Sequence, residues 1–347
     1  VSPPRRARPR VARRFPAEGF ALFAVALALR AAYAWLVNGS DAAPSSDPAT
    51  YDAVAWNLAR RLGFSLGDGT HAWPTAFVPP LVPWFASLVY RIAGHQYVAA
   101  VIAQCAIGAL APLLARSLGA NLYGSPVGRI AGWLVAFDPL LIFFSAYLLT
   151  ETTFSVTLLL AMLATVLWIK TPQSERALGA GLLWGLATLA RPTALLLPPL
   201  LALWAWAPLG LLVTPRARLR QVAMLGLGLG LVVAPWTIRN AITLRAFVPV
   251  TTGQGRALLD SNNAIVWNDA ALRGNALAVY QREPYASEFR GRSEVEVDRR
   301  ATAMALAFLR DNASRFPAMA VAKVARLWRV SREGGTTGAW LPEGSPL

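Results

Sequence analysis

The feature that most limits the fold of this chain is the repetition of long apolar stretches along its first 240 residues. A run of about 18 apolar residues is long enough to cross the hydrocarbon layer of a membrane as a helix. Stretches that approach or exceed this length lie at about residues 18–37, 97–118, 127–144, 151–169, 177–190, 194–213 and 221–238. The pattern predicts an all-α, polytopic transmembrane helical bundle of about seven spans.

Composition supports a membrane protein and argues against a nucleic-acid partner. Only 15% of the residues are charged, whereas soluble domains have about 25%. The net charge of +15 comes from residues in the loops and termini of the apolar stretches, without a basic cluster interleaved with aromatic residues. Cys105 is the single cysteine, and His71 and His95 lack the spacing of a metal pair. We therefore predict no metal site of this kind and leave a divalent cation open as a cofactor.

The positions of the basic residues predict which loops face the cytoplasm. Arginine and lysine gather in the N-terminal tail, around Arg116 and Arg129, at Lys170 and in residues 216–220. By the positive-inside rule these segments are cytoplasmic. The loop at 38–95, the turns at Glu151 and Arg191, and everything after residue 239 are then external. The first apolar stretch lacks a clear cleavage site, so we interpret it as an uncleaved anchor instead of a signal peptide.

Three regions follow from this topology. Residues 1–17 form a basic cytoplasmic tail, residues 18–239 a transmembrane module that includes the external loop 38–95, and residues 240–347 an external loop with an interfacial helix and a flexible tail. In the loop 38–95, residues 51–62 and 80–93 are expected to form surface helices, the second too short to cross comfortably. Helices are also expected at 301–309 and 317–330.

Several motifs, taken in order, resemble the polytopic GT-C glycosyltransferases. They are SDPATY at 46–51, AWNLARRLGF at 55–64, VPPLVPW at 78–84, FDPLLIFFSAYLLTETTF at 137–154, GLATLARPTALLLP at 185–198, PWTIRN at 235–240 and VPVTTGQGRALLDSNN at 248–263. The chain is most similar to the bacterial glycosyltransferase family 39 type, which is related to protein O-mannosyltransferases and to the aminoarabinose transferase of lipid A. Members of this family continue into further spans beyond the helix at 317–330.

The resemblance implies an inverting transferase that takes a sugar from a polyprenyl-phosphate donor on the external face of the membrane. Asp47 matches the catalytic aspartate of the family, four residues before Tyr51, and Asp52 matches it less well. A carboxylate in a partly desolvated pocket has a raised pKa, which suits a general base. From the sequence alone, an N-cap role for Asp47 before Pro48 is the stronger explanation. The resemblance favours catalysis, and both roles are compatible.

Three further charged residues are candidates. Glu151 matches a cavity-facing acid of the family, although an acid at a helix start also stabilises the helix dipole. Arg191 and Arg239 each end a span on the predicted external side, where the charge rule disfavours arginine. Arginine binds phosphate in a bidentate manner, so we predict that both bind the donor phosphate. Arg239 is the stronger candidate, because PWTIRN resembles the segment of the family that meets the lipid phosphate. Snorkelling to lipid headgroups is the alternative for Arg191.

Tyr51 and Asn263 complete the predicted substrate cavity. Tyr51 has a motif match, whereas the interfacial aromatic belt explains most other aromatic residues. Asn263 lies in a polar loop that an ordinary turn also explains. The predicted partners are the polyprenyl-phosphate sugar, a lipid, glycan or protein acceptor, and membrane lipids. The predicted location is the bacterial plasma membrane, with the active site facing outward. A transporter or flippase of lipid-linked sugars, and a noncatalytic subunit of an envelope assembly, are the alternatives.

Overall fold

A computed structural model describes residues 15–40, 43–206 and 214–328 of the chain. Most of the predicted basic tail and the tail from Gly334 lie outside these residues. The chain divides into two compact units, residues 1–250 and 251–347. In the first unit the helices are α1 (Phe15–Asn38), α2 (Ser46–Ala59), α3 (Leu81–Ala93), α4 (Tyr97–Gly108), α5 (Ala111–Tyr123), α6 (Ser125–Ala136), α7 (Pro139–Ser145), α8 (Thr150–Lys170), α9 (Ser174–Ala190), α10 (Leu197–Trp206) and α11 (Pro215–Leu244).

Two short strands interrupt the helices of this unit. β1 (Ser65–Leu66) and β2 (Trp73–Pro74) pair antiparallel, with Ser65 opposite Pro74. They form a hairpin between α2 and α3 and carry the chain from one predicted surface helix to the next. The all-α prediction is confirmed, because these four strand residues are the only sheet in the part of the chain described.

The predicted count of seven spans is not confirmed. Within residues 15–40, 43–206 and 214–328, four helical segments are long and apolar enough to cross a membrane: Ala17–Asn38, Tyr97–Tyr123, Thr150–Lys170 and Pro215–Leu244. A fifth is α6 with α7, if this pair, bent by 49°, is one span. The helix α9 and the segment Pro192–Ala205 are shorter than the roughly 20 residues that a spanning helix needs.

The bend between α6 and α7 is fixed by a buried arginine and an aspartate. Asp138 accepts a hydrogen bond from Leu141 N and caps the start of α7. Arg30, buried in α1, donates to the carbonyl oxygens of Ala136 at 3.3 Å and Val135 at 3.2 Å. These carbonyls lie at the end of α6, where the helix leaves them without intrahelical partners. Arg30 therefore supplies hydrogen-bond donors to the backbone carbonyls at the end of α6, in an apolar environment.

Glycines let α9 and α11 approach closely. A Cβ at Gly181 would lie 2.1 Å from Leu225 O, and one at Gly228 would lie 2.3 Å from Leu178 O. Both distances are shorter than any real contact, so each position requires glycine. Small residues at such contacts are typical of helix pairs in membranes, where van der Waals packing drives association. The helix α9 also packs against α8, which brings the start of α8 to the end of α9.

The first unit extends past the predicted domain boundary at residue 239. Trp236 Nε1 donates to Val250 O at 2.7 Å, and Thr237 Oγ1 donates to Pro249 O at 2.9 Å. Asn240 donates to Val248 O at 3.1 Å. These bonds fold residues 248–250 back onto α11, so the division between the units falls after Val250.

The second unit is a small helical assembly. Its helices are α12 (Gln254–Ser261), α13 (Ala264–Asn268), α14 (Tyr285–Phe289), α15 (Glu294–Asp311) and α16 (Phe316–Leu327). In α16 the basic side chains turn toward the unit, since Lys323 donates to Asn262 Oδ1 and Arg326 donates to backbone carbonyls. Val321 and Val324 are exposed instead. An apolar outer face of this kind fits the predicted interfacial helix.

Candidate active site

The first unit brings together four of the six residues that the sequence predicts for the site. Asp47 and Tyr51 lie one turn apart on α2, Glu151 lies at the start of α8, and Arg191 follows the last residue of α9. These four residues form what we call the acid centre. Three elements that are distant in sequence contribute to it.

Asp47 lies in the first turn of α2 and is not its N-cap. The N-cap position belongs to Ser45, and Asp47 is the second residue of the helix. The N-cap explanation from the sequence is therefore wrong, although an acid in the first turn still favours the helix dipole. Ser46, directly before Asp47, has a φ of 55°. A non-glycine residue adopts this left-handed conformation only when its surroundings impose it, and such residues cluster at functional sites.

The electrostatic environment couples Asp47 to Glu151. Asp47 is open to solvent on one side, yet the surrounding protein and then the negative charge of Glu151 raise the pKa of its carboxyl. Desolvation and a like charge both disfavour the ionised form. A carboxylate with a raised pKa is a stronger proton acceptor than a fully hydrated one.

Tyr51 is the buried wall of the acid centre. Its side chain shares a hydrogen bond with that of Thr150, the residue before Glu151. Burial, with the negative charges of Glu151 and Asp47, raises the pKa of the phenol, while Arg191 acts in the opposite direction. The phenol is therefore protonated at neutral pH. Glu151, Asp47 and Arg191 are therefore all close enough to Tyr51 to affect its pKa.

Glu151 and Arg191 form an ion pair at the junction of α8 and α9. Glu151 Oε1 lies 3.4 Å from Arg191 Nη2, and Thr150 Oγ1 donates to Glu151 Oε2 at 3.3 Å. The guanidinium also lies over the ring of Phe154, 5.8 Å from its centroid. Both charged side chains are partly exposed, at 42% for Arg191 and 24% for Glu151. The arrangement leaves the arginine accessible to an anion while Glu151 and Phe154 hold it in place.

Arg239 has a different environment from Arg191. It donates to Thr75 O at 2.6 Å and to Phe64 O at 2.7 Å, on either side of the β hairpin. It also lies over the ring of Trp236, 4.9 Å from the centroid. These contacts tie the hairpin to α11 and give the guanidinium a structural role, which we call the Arg239 clamp. Its predicted role in phosphate binding stays a prediction.

Asn263 belongs to the second unit and acts there as a helix cap. Its side-chain oxygen accepts from Val266 N at 2.9 Å at the start of α13, and its amide donates to Leu259 O at 2.8 Å. The side chain is buried. This geometry agrees with the turn explanation that the sequence left open.

The described residues hold no group of three or more His, Cys, Asp or Glu side chains arranged to bind a metal ion. Asp47 and Glu151 are the two carboxylates of the acid centre, and Arg191 already pairs with one of them.

Sequence analysis missed two residues that shape the acid centre. Thr150 bonds to both Tyr51 and Glu151, and Phe154 packs under Arg191. Both belong to the motif FDPLLIFFSAYLLTETTF, and Phe154 lies one helical turn after Glu151. The spacing i, i+3 was the signal that could have identified Phe154. Thr150 gave no signal beyond its position next to Glu151.

Comparison with known proteins supports the resemblance that the motifs indicate. Residues 78–238 match the family model described as dolichyl-phosphate-mannose-protein mannosyltransferase. This region contains Glu151 and Arg191, Arg239 follows it directly, and Asp47 and Tyr51 precede it. The chain matches no curated protein and no solved structure. Its apolar helices and this family match indicate a membrane glycosyltransferase of the GT-C type.

Proposed function

We propose that this protein transfers a sugar from a polyprenyl-phosphate donor to an acceptor hydroxyl, with inversion at the anomeric carbon, on the external face of the membrane. The single observation that carries the proposal is the acid centre, in which Glu151 raises the pKa of the Asp47 carboxyl and also pairs with the partly exposed Arg191. Transfer from a sugar phosphate needs both a proton acceptor and a positive charge for the leaving phosphate.

Asp47 is the general base of this proposal. It takes the proton from the acceptor hydroxyl as the hydroxyl oxygen attacks the anomeric carbon and the bond from that carbon to the phosphate oxygen breaks. A positioned general base contributes about 10²- to 10⁴-fold in rate. The raised pKa of Asp47 brings its basicity closer to neutral pH, and its open side leaves room for an acceptor.

Arg191 binds the donor phosphate and neutralises the charge that develops on it. Hydrogen bonds from arginine to phosphate are charge-assisted and bidentate. Glu151 holds the guanidinium from one side and Phe154 supports it from below. Tyr51 keeps its proton and is buried close to Asp47, Glu151 and Arg191. Glu151 and Tyr51 therefore shape the cavity without taking part in proton transfer.

The charge pattern supports an external acid centre. Glu151 and Lys170 lie at opposite ends of the 21-residue helix α8, about 30 Å apart at 1.5 Å per residue. Lys170 contacts the backbone of Asn121 on α5, and Arg116 and Arg129 both pair with Glu18 at the start of α1. These basic residues gather at the end of the helices away from the acid centre. The positive-inside rule assigns that end to the cytoplasm.

A transfer assay in detergent tests the proposal against a transporter or a noncatalytic subunit. Purified protein would be incubated with radiolabelled polyprenyl-phosphate hexoses and pentoses and an envelope extract as the source of acceptor. We expect release of polyprenyl phosphate and label in the acceptor fraction from at least one donor. A transporter does not cleave the donor, and detergent provides no second compartment for transport, so a transporter would release no polyprenyl phosphate. Donor that binds but stays intact with every sugar would contradict the proposal.

A further inference from the structure

A buried carboxylate in the middle of α2 joins this helix to two other elements. Asp52 lies five residues after Asp47 and accepts a hydrogen bond from the hydroxyl of Tyr90 on α3. His95, between α3 and α4, places Nε2 at 2.9 Å from Asp52 Oδ2 and 3.1 Å from Oδ1. Because a carboxylate only accepts hydrogen bonds, we assign the proton to His95 Nε2. One side chain thus connects α2, α3 and the start of α4.

Aromatic contacts fix the orientation of these partners. The ring of His95 stacks on Trp56, which lies one turn after Asp52 on α2, with centroids 4.5 Å apart and an interplanar angle of 5°. The same ring meets Tyr90 edge-on at 5.1 Å. Burial and the charge of Asp52 raise the pKa of Tyr90, so the phenol remains a hydrogen-bond donor. Hydrogen bonds and ring contacts therefore act together to orient the three partners.

The start of α4 also contacts the segment that leads into α8. Tyr97 OH accepts from Leu148 N at 3.1 Å, three residues before Glu151. Gln104, further along α4, donates to Tyr147 O at 2.7 Å. The junction of α3 and α4 thus holds both α2 through His95 and the beginning of α8 through Tyr97. These are the two elements that carry the acids of the acid centre.

We propose that Asp52, Tyr90 and His95 form a positioning device, the Asp52 lock, which holds α2 so that Asp47 faces Glu151 and Arg191. The inference rests on the proposed function, because that function makes the orientation of Asp47 matter. These residues act through Asp47. An apolar contact would join α2 and α3 at lower cost, because burial of a polar group such as Asp52 carries a desolvation penalty that its hydrogen bonds must offset. The benefit of the lock is that it holds α2 in a single orientation.

The kinetic test separates positioning from simple stabilisation. Asp52→Ala and Tyr90→Phe would be purified, and kcat and the donor KM would be measured per folded molecule. A displacement of about 1 Å costs on the order of 10²-fold in rate. We expect kcat to fall at least about 10-fold in Asp52→Ala, with KM within about twofold, and to fall less in Tyr90→Phe. A thermal shift with unchanged kcat in both variants would overturn the proposal.

Rescue by a conservative change gives a second readout. His95→Gln keeps an N–H donor that reaches Asp52, whereas His95→Ala does not. We expect His95→Gln to retain more of the wild-type kcat than His95→Ala. Equal kcat values for the two variants would contradict a role for the hydrogen bond. Asp68→Asn is the matched control, because Asp68 also pairs with α2, through Arg60 at 2.6 Å, but is 82% exposed and lies at the other end of the helix. We expect wild-type kcat in this control.

Amide hydrogen exchange tests the lock without any activity measurement. In Tyr90→Phe and Asp52→Ala we expect faster exchange at residues 50–55, whose amides bond within α2, and wild-type exchange in α9. Unchanged exchange at residues 50–55 would reject the lock. If Asp47→Asn retains full activity, the proposed function fails, and the exchange result still decides whether the lock holds α2.

Discussion

Arg191 and Arg239 occupy similar places in the sequence and different places in the structure. Each follows an apolar helix or lies near its end, and each was predicted to bind the donor phosphate. Arg191 pairs with Glu151 and is 42% exposed, whereas Arg239 donates to two backbone carbonyls of the hairpin. The acid centre therefore presents a guanidinium to the solvent, and the Arg239 clamp uses one to hold two elements together.

The comparison shows that the hydrogen-bond partners of an arginine predict phosphate binding better than its position in a span does. A carboxylate partner such as Glu151 can be exchanged for a phosphate, because both are anions that accept from the same fork of N–H donors. The two backbone carbonyls of the hairpin would each lose a hydrogen bond from a charged donor, which is worth about 1.5–3 kcal/mol. An incoming phosphate therefore displaces Glu151 from Arg191 more easily than it displaces the hairpin from Arg239.

Within this comparison, the largest expected effect on donor binding comes from Arg191→Ala. Loss of a charge-assisted contact of about 1.5–3 kcal/mol corresponds to a decrease of about 10- to 150-fold in donor affinity. We expect Arg191→Lys to recover part of the loss, since lysine keeps the charge without the bidentate fork. Binding of a radiolabelled polyprenyl phosphate in detergent measures the effect. Wild-type affinity in Arg191→Ala would remove Arg191 from the phosphate site.

Arg239→Ala tests the same comparison at the Arg239 clamp. The variant loses its hydrogen bonds to Phe64 O and Thr75 O, so we expect it to lower the free energy of unfolding by about 2–4 kcal/mol while donor affinity stays within about twofold. Thermal unfolding and donor binding are measured on the same preparation. If Arg239→Ala keeps the wild-type unfolding temperature and loses donor affinity, the contrast with Arg191 is wrong. Arg239 would then bind the donor phosphate, as the sequence predicted.

A smaller effect is expected at the contact between α9, which leads to Arg191, and α11, which carries Arg239. In Gly181→Ala the new methyl group would lie 2.1 Å from Leu225 O, and overpacking of this kind costs about 1–3 kcal/mol. Gly179→Ala is the matched control, since a Cβ there meets open space among the residues described. We expect only Gly181→Ala to lower the unfolding temperature. Equal unfolding temperatures would show that the two helices separate easily.

The smallest expected effect is a shift in the pH dependence of Glu151→Gln. Asp47 acts as a base only when it is ionised, so activity rises as pH increases through its pKa. The negative charge of Glu151 contributes to the raised pKa of Asp47, and its removal lowers that pKa. We therefore expect the rising limb of kcat against pH to move to lower pH in the variant. A limb that stays in place, or moves to higher pH, would show that the charge of Glu151 does not raise the pKa of Asp47.

The sequence was sufficient for the helical membrane fold and for four members of the acid centre, but not for how they meet. Glu151 and Arg191 were visible as charged residues at span ends. They are 40 positions apart in the sequence, which does not show that α8 and α9 bring them to the same end. Hydropathy also treated α6 and α7 as one straight span, because the bend depends on Asp138 and on Arg30 from a distant helix.

Asp52 shows why local patterns miss positioning residues. It was set aside because it matched the family aspartate less well than Asp47, and His95 was considered only as a metal ligand. Their pairing joins residues 43 positions apart across a helix that no short motif covers. Arg239 was assigned by its segment alone, and its partners in the hairpin depend on tertiary packing.

The replacement of Asp47 by asparagine tests the central claim most directly. Asparagine keeps the size and the helix position of the side chain and removes its ability to accept a proton. We expect sugar transfer to fall by about 10²- to 10⁴-fold, with donor binding and unfolding temperature close to wild type. Transfer at the wild-type rate in Asp47→Asn, with donor bound normally, would contradict the assignment of Asp47 as the base and with it the acid centre as the site of reaction.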